Sequence, residues 1–269
     1  MKKLFILASF ICLCLEMTAQ TMHTLIFINE QEKGRETDRQ ADMRKMKSFI
    51  TDVAKRIGYT NDMRTHSGAE FTSEMVYSEI NRLKVNYNDI VMFYYHGHGA
   101  NASNNTYESK WPSMALADKS LEQSEVQKEL ERQCKQAKLV LCIADCCNRY
   151  YYRQNPPSEM DTRTGDNIKK LFTNFNGQKF IVISASKPGQ YGYSANTGSV
   201  FGDNLRNSIN YYASSSTNPT WESVLSKAQA DTKKHNAQSG HISEPQYDIY
   251  NRAQVSPTII PADVKGDLY

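Results

Sequence analysis

The chain lacks several things, and each absence removes a class of protein. It has no large excess of either charge: 32 Lys and Arg stand against 29 Asp and Glu, a net of +3. No basic stripe or Lys/Arg run is present to track a phosphate backbone, so nucleic acid is not an expected partner. The apolar run from Leu4 to Leu15 falls short of the roughly 20 residues a membrane-spanning helix needs. No internal repeat stands out. Nor is there a disulfide framework: Cys142, Cys146 and Cys147 crowd one stretch, and adjacent cysteines bridge each other only with strain.

What is present begins with a segment outside the fold. "MKKLFILASFICLCLEMTAQT" has Lys2 and Lys3, then the apolar run, then a polar stretch. That pattern is a secretory signal of the bacterial type. Cleavage is expected after Ala19, although Met17 fits the usual small residue poorly. An uncleaved anchor is the alternative. Residues 1–19 are therefore expected to be removed, with residues 20–269 exported to the periplasm, the cell surface or the medium, and no stable membrane span is expected thereafter. Export permits disulfides, but the clustering of the remaining thiols suggests that at least one, among Cys134, Cys142, Cys146 and Cys147, is kept free.

The mature chain alternates short apolar runs with amphipathic stretches. Residues 23–29, 89–96, 137–147 and 179–186 read as strands, and 245–251 as a last one. Residues 38–58 place Met43, Met46, Ile50, Val53 and Ile57 at helical spacing, with Gly58 as the stop. Residues 71–84 read as a helix capped by Thr72 or Ser73. Residues 120–135 read as another, opening with Ser120 and Gln123 in capping-box register. Residues 200–212 and 219–235 complete the helices. Continuous apolar strands between amphipathic helices predict a largely parallel sheet covered on both faces. Ligands bind at the carboxyl ends of the strands in such sheets.

Two loops leave the sheet at that end. One begins "HGHGAN" and the other "DCCNRY". Strand alternation places Asp145 and Cys147 on one face, and Cys146 with Ala144 and Cys142 on the other. Buried cysteine is often simply a small core residue, which suits Cys142 and Cys146 better than Cys147. Glycine lets a ligand approach the backbone closely, so a histidine set between glycines can present its ring to a substrate. Alternation does not choose between His96 and His98. A Cys–His pair is a nucleophilic constellation. The competing reading is a metal site formed by His96, His98, Cys146 and Cys147, but zinc ligands are usually spaced two to four residues apart within a pair. No metal or cofactor is expected.

"VMFYYHGHGA" followed by "LVLCIADCCN" resembles the caspase-like cysteine proteases, metacaspases most of all. The separation of His98 and Cys147 is similar to the family's about 50 residues. "TLIFIN", "DMRKMKSFI", "RIGY", "ISASKPGQYGYSANTGSVFGDNL", "PTWESVLSKA" and "SEPQY" extend the likeness over nearly the whole mature chain. The resemblance implies a three-layer αβα sandwich around a mostly parallel six-stranded sheet, and a peptide or protein substrate. It assigns His98 as the catalytic histidine, Cys147 as the nucleophile, and the N–H groups of Gly99 and Cys147 as the oxyanion hole. Asp145 matches the acid at the base of the S1 pocket, which favours Arg or Lys at P1. Ser186, in the "SAS" segment, and His96, where the family often has Ser, complete the expected substrate-binding set. No second S1 acid can be placed from the sequence.

This chain departs from the family pattern at Asn148, Arg149 and Tyr150. The loop after His98 carries only Glu108 and Asp118 as acids, so no calcium site is expected. Residues 148–180 form a candidate processing linker in which Arg153, Arg163, Lys169 and Lys170 are candidate cut sites. An ordinary solvated loop is the plainer reading. The expected function is a secreted cysteine endopeptidase; the alternatives are a non-catalytic caspase-like binding module and a His/Cys metal-binding protein.

Overall fold

Two strands at the centre of the chain are buried at every position: β3 (Ile90–His96) and β7 (Leu139–Asp145). A strand with both faces buried needs cover on both sides, and the rest of the architecture supplies it. The computed structural model describes residues 20–101, 109–148, 167–195, 197–216 and 218–252. The expected signal peptide, the cut-site candidates Arg153 and Arg163, and Glu108 lie outside the described residues.

In chain order the remaining elements are β1 (Thr21–Ile28), α1 (Glu36–Ile57), β2 (Thr60–His66), α2 (Ser73–Asn81), β4 (Gly99–Asn101), β5 (Pro112–Ala115), β6 (Ser120–Glu122), α3 (Gln123–Gln133), α4 (Ile168–Phe172), β8 (Gln178–Ser184), β9 (Ser194–Ala195), β10 (Gly198–Ser199), α5 (Val200–Ser215), α6 (Trp221–Gln238) and β11 (Gln246–Arg252). Six strands form one sheet in the order β11-β8-β7-β3-β1-β2. Every neighbouring pair in it is parallel except β8 and β11.

Alternation along the strands sorts their side chains into two cores. On one face Met92, Tyr94, Leu141 and Ile143 pack with residues of α1, α4, α5 and α6. On the other, Phe93, Tyr95, Cys142, Ala144 and Cys146 pack with residues of α2 and α3. The result is the three-layer sandwich that the sequence pattern predicts. Among the described residues, no helix is long and apolar enough to cross a membrane.

The helix boundaries follow local chemistry. α1 buries Met43, Met46, Ile50, Val53 and Ile57, and ends at Gly58 with φ 80°, a left-handed stop that glycine adopts without a Cβ penalty. The Thr72 hydroxyl caps α2 by accepting from the Met75 N–H at 3.1 Å. α3 corrects the expectation: it starts at Gln123, and Ser120 lies in β6 rather than at a cap. The Gln123 side chain does not close a capping box. Its amide instead reaches the sheet and donates to the Cys142 and Ile183 carbonyls at 3.1 and 2.8 Å.

Candidate active site

β3 and β7 lie side by side with His96 opposite Asp145, so the loops that follow them start together at the carboxyl end of the sheet. β1 flanks β3 with Ile28 opposite His96. The loop from β1 to α1 therefore reaches the same place, and it carries Glu32.

Close backbone approach explains the second glycine of the His-Gly-His-Gly run. A Cβ on Gly99 would lie 2.5 Å from Cys146 Sγ and 2.6 Å from the Cys147 carbonyl oxygen. The strand meets the loop with no room for a side chain. The Tyr95 hydroxyl sits between the carbonyls of His98 and Ala115, at 2.6 and 2.8 Å, and holds the main chain of His98 in place. Cys146 points into the α2/α3 core and is buried, as alternation predicts. β7 ends at Asp145, so alternation no longer governs Cys147. All four cysteines of the described residues are free thiols, and Cys147 is the one not fully buried.

The Cys147 thiol donates to the Gly192 carbonyl at 3.6 Å. Burial pushes its pKa up, against the opposing pull of the Gly192 backbone and of Arg39 and Arg35, so the resting group is a thiol. Gly192 is also a close-approach glycine: a Cβ there would lie 2.8 Å from the Cys146 carbonyl carbon and oxygen. Ser186 is buried rather than lining the open site, and its hydroxyl donates to the Cys146 carbonyl at 3.1 Å. Its place in the structure is to hold the Cys146–Cys147 turn. Asn148, buried too, donates to the Lys110 and Ser186 carbonyls at 3.0 and 3.3 Å.

His98 is 68% exposed, and its Nε2 lies 2.6 Å from Glu32 Oε1. Among the described residues, no hydrogen bond joins His98 to Cys147 in this resting arrangement. Catalytic hydrogen bonds often tighten only when substrate binds. Burial alone would raise the pKa of Glu32. The hydrogen bond with His98 and the charge of Arg39 outweigh it and hold the carboxyl down at about 2.

His96 has a different environment. It is buried, with Nδ1 2.9 Å from Asp42 Oδ2 and Nε2 2.5 Å from the Arg39 guanidinium. A guanidinium only donates, so Nε2 accepts. Ser194 Oγ lies 3.2 Å from the same nitrogen. Arg39 also donates through Nε to Glu32 at 3.0 Å, so one buried cation links the His98 and His96 neighbourhoods. Sequence alternation left the two histidines equivalent; burial and partners separate them completely.

Asp145 is 3% exposed and shares the Tyr94 hydroxyl with Asp42, at 2.8 and 2.7 Å. A phenol has one proton to donate. Burial raises the pKa of Asp145; neighbouring His96 opposes this and the charge of Asp42 adds to it. Burial would also raise Asp42, but neighbouring His96 and the charge of Arg206 win and lower it. The single Tyr94 proton is thus shared between two carboxyls that their neighbours push in opposite directions, Asp42 down and Asp145 up. Arg206 donates to Asp42 at 3.1 Å and also to Asp203, which in turn accepts from Lys45 at 2.8 Å.

The proposed metal ligands do not converge: His96 is held by Asp42 and Arg39, His98 by Glu32, and Cys146 faces the core. Among the described residues, no cluster of three or more His, Cys, Asp or Glu is placed to hold a metal ion. Lys169 and Lys170 lie within α4, and a peptidase that binds its substrate extended would need this turn unwound.

Sequence reasoning missed Asp42, Arg39 and Glu32. Asp42 had a signal: it sits four residues before Met46, on the apolar stripe of α1, where an acid is out of place unless paired. Arg39 shares that face. Glu32 had none, standing in "NEQEKGRETD" among other acids.

The family model for the caspase domain matches residues 23–256. Among solved structures, caspase-1 of Spodoptera frugiperda superposes with a TM-score of 0.56 at 12% identity, over 87% of this chain and 89% of that one. A protein of Geobacter sulfurreducens superposes with a TM-score of 0.51 at 12% identity, over 88% of this chain and 95% of that one. No match is found among curated protein sequences.

Proposed function

The chain belongs to the caspase domain family, and from that premise we propose that it is an exported cysteine endopeptidase that uses Cys147 and His98 and cuts after Arg or Lys. The observation that carries the reading is the convergence of two loops: Gly99, next to His98, packs directly against the Cys147 carbonyl. That contact brings the backbone N–H groups of Gly99 and Cys147 into one neighbourhood, where an oxyanion would form. The Cys147 proton passes to the His98 imidazole as the sulfur attacks the scissile carbonyl carbon. The imidazolium then protonates the leaving amine, and water hydrolyses the acyl-enzyme.

Support for a basic P1 residue comes from Asp145, at the end of β7, and from Asp42, which shares the Tyr94 hydroxyl with it. Of the two, Asp42 is already paired with Arg206, and Asp145 is the carboxyl that a P1 cation would draw into its ionised form. Export is supported by Lys2, Lys3 and the apolar run that follows. The candidate processing sites Arg153 and Arg163 suit the same specificity.

The test compares wild type and Cys147→Ala on fluorogenic peptides with Arg, Lys or Asp at P1. Wild type should release fluorophore from the Arg and Lys peptides, and Cys147→Ala from none. Equal rates for the two proteins would sink the peptidase reading. Cleavage of the Asp peptide alone would sink the basic specificity. Protein recovered outside the cytoplasm should begin at Gln20; one that retains Met1 would count against signal removal.

A further inference from the structure

We propose that Glu32 is the positioning residue for His98: its carboxylate fixes which ring nitrogen carries the proton and anchors the exposed imidazole, leaving Nδ1 for the thiol proton. The inference rests on the peptidase reading above and adds to it a third side chain from a different loop. Glu32 lies in the loop between β1 and α1, and among the described residues it is the one side chain bonded to the His98 ring, 2.6 Å from Nε2. An ionised carboxylate only accepts hydrogen bonds. The ring proton of neutral His98 therefore sits on Nε2, which leaves Nδ1 as the lone pair that can take a proton.

Two further features make Glu32 a fixed anchor rather than a passing surface contact. Its second oxygen accepts from Arg39 Nε at 3.0 Å, and Arg39 is itself buried and held on its far side by His96. The carboxyl remains ionised down to about 2, because the His98 hydrogen bond and the Arg39 charge overcome the effect of burial. His98, by contrast, is largely exposed; among the described residues, Glu32 is the side chain that sets its rotamer.

The proton balance is simple. The Cys147 S–H bond breaks, its proton moves to His98 Nδ1, and the sulfur electron pair forms the bond to the carbonyl carbon. Glu32 takes no proton; it faces the imidazolium while that charge exists. The proton on Nδ1 then goes to the leaving amine as the C–N bond breaks. The carboxylate thus acts on the charged state, which is formed during reaction, more than on the resting state.

The experiment uses Glu32→Gln, Glu32→Ala and His98→Ala in the full chain, with two readouts. The first is kcat and KM on the peptide that wild type cleaves. The second needs no substrate: the rate of Cys147 alkylation by iodoacetamide against pH. Titratable and charged groups that face the His98–Cys147 region are Glu32, Arg35, Arg39 and Asp145, and all but Glu32 stay constant across the two Glu32 variants. Glu32→Ala is expected to lower kcat by about 10²-fold with KM within about twofold, and to move the acidic limb of the alkylation profile toward that of His98→Ala. Glu32→Gln keeps an acceptor without charge and guards against misfolding from an unpaired Arg39; it should fall between wild type and Glu32→Ala in both readouts.

Wild-type kcat and an unmoved alkylation profile in both Glu32 variants would overturn the proposal. So would a fall in kcat with no change in the profile, since a merely structural role predicts that. If wild type cleaves no peptide but its alkylation limb depends on both His98 and Glu32, the positioning role stands and the peptidase reading fails.

Discussion

At the scale of single residues, the site is defined by where side chains are forbidden as much as by where they act. A methyl group on Gly99 collides with the Cys147 carbonyl, which is backbone and cannot rotate away. Gly99→Ala is expected to lose about 1–3 kcal/mol of stability and to lower kcat/KM by about tenfold or more, read by urea denaturation and peptide hydrolysis. Retained activity would show that the loop moves aside. The two histidines should respond in opposite ways. His96→Ala removes the group set between Asp42 and Arg39, and breaking a buried charged network costs about 3 kcal/mol. His98 is exposed, so His98→Ala should leave the urea midpoint nearly unchanged and abolish turnover. The reverse pattern in the paired measurements would exchange their roles.

At the scale of elements, the sequence carried the apolar strands and the long helices because periodic burial marks them directly. β3, β7 and β8 are apolar runs, and α1 shows its stripe and its glycine stop. β2 was not legible: "TNDMRTH" is polar and half-exposed, an edge strand paired on one side only. The short strands β4, β5 and β6 form a separate small sheet too brief to leave a pattern. The site was half legible. Glycine-flanked histidine and the Asp-Cys-Cys run mark strand ends, whereas Glu32 and Arg39 act through contacts made only after folding. The misread start of α3 has a checkable consequence. If Gln123 were a cap residue, its loss would fray one helix end. Because its amide instead tethers α3 to the Cys142 and Ile183 carbonyls, Gln123→Ala should lower global stability by about 1–3 kcal/mol with kcat unchanged. An unchanged urea midpoint would refute the tether.

At the scale of the whole molecule, a second buried histidine couples the sheet to pH far from the site. His23 in β1 lies 2.8 Å from Asp62 in β2 and 3.3 Å from Asp89 before β3. Burial lowers its pKa, but the hydrogen bonds and charges of Asp89 and Asp62 more than offset this, and the net shift is upward from 6.5. A raised folded-state pKa means stabilisation that is complete below about 6.5 and lost as pH rises through the folded value. The stability difference between wild type and His23→Gln should therefore shrink as pH rises from roughly 5 to 9. A difference independent of pH would mean that His23 packs without titrating. The strand order has its own consequence, in time rather than in space. Glu32, His98, Cys147 and Gly192 follow β1, β3, β7 and β8, strands joined by parallel pairings between distant parts of the chain. Such pairings close late. A newly made chain therefore carries the thiol before it carries the thiol's surroundings, and topology delays assembly of the site until the sheet is nearly complete.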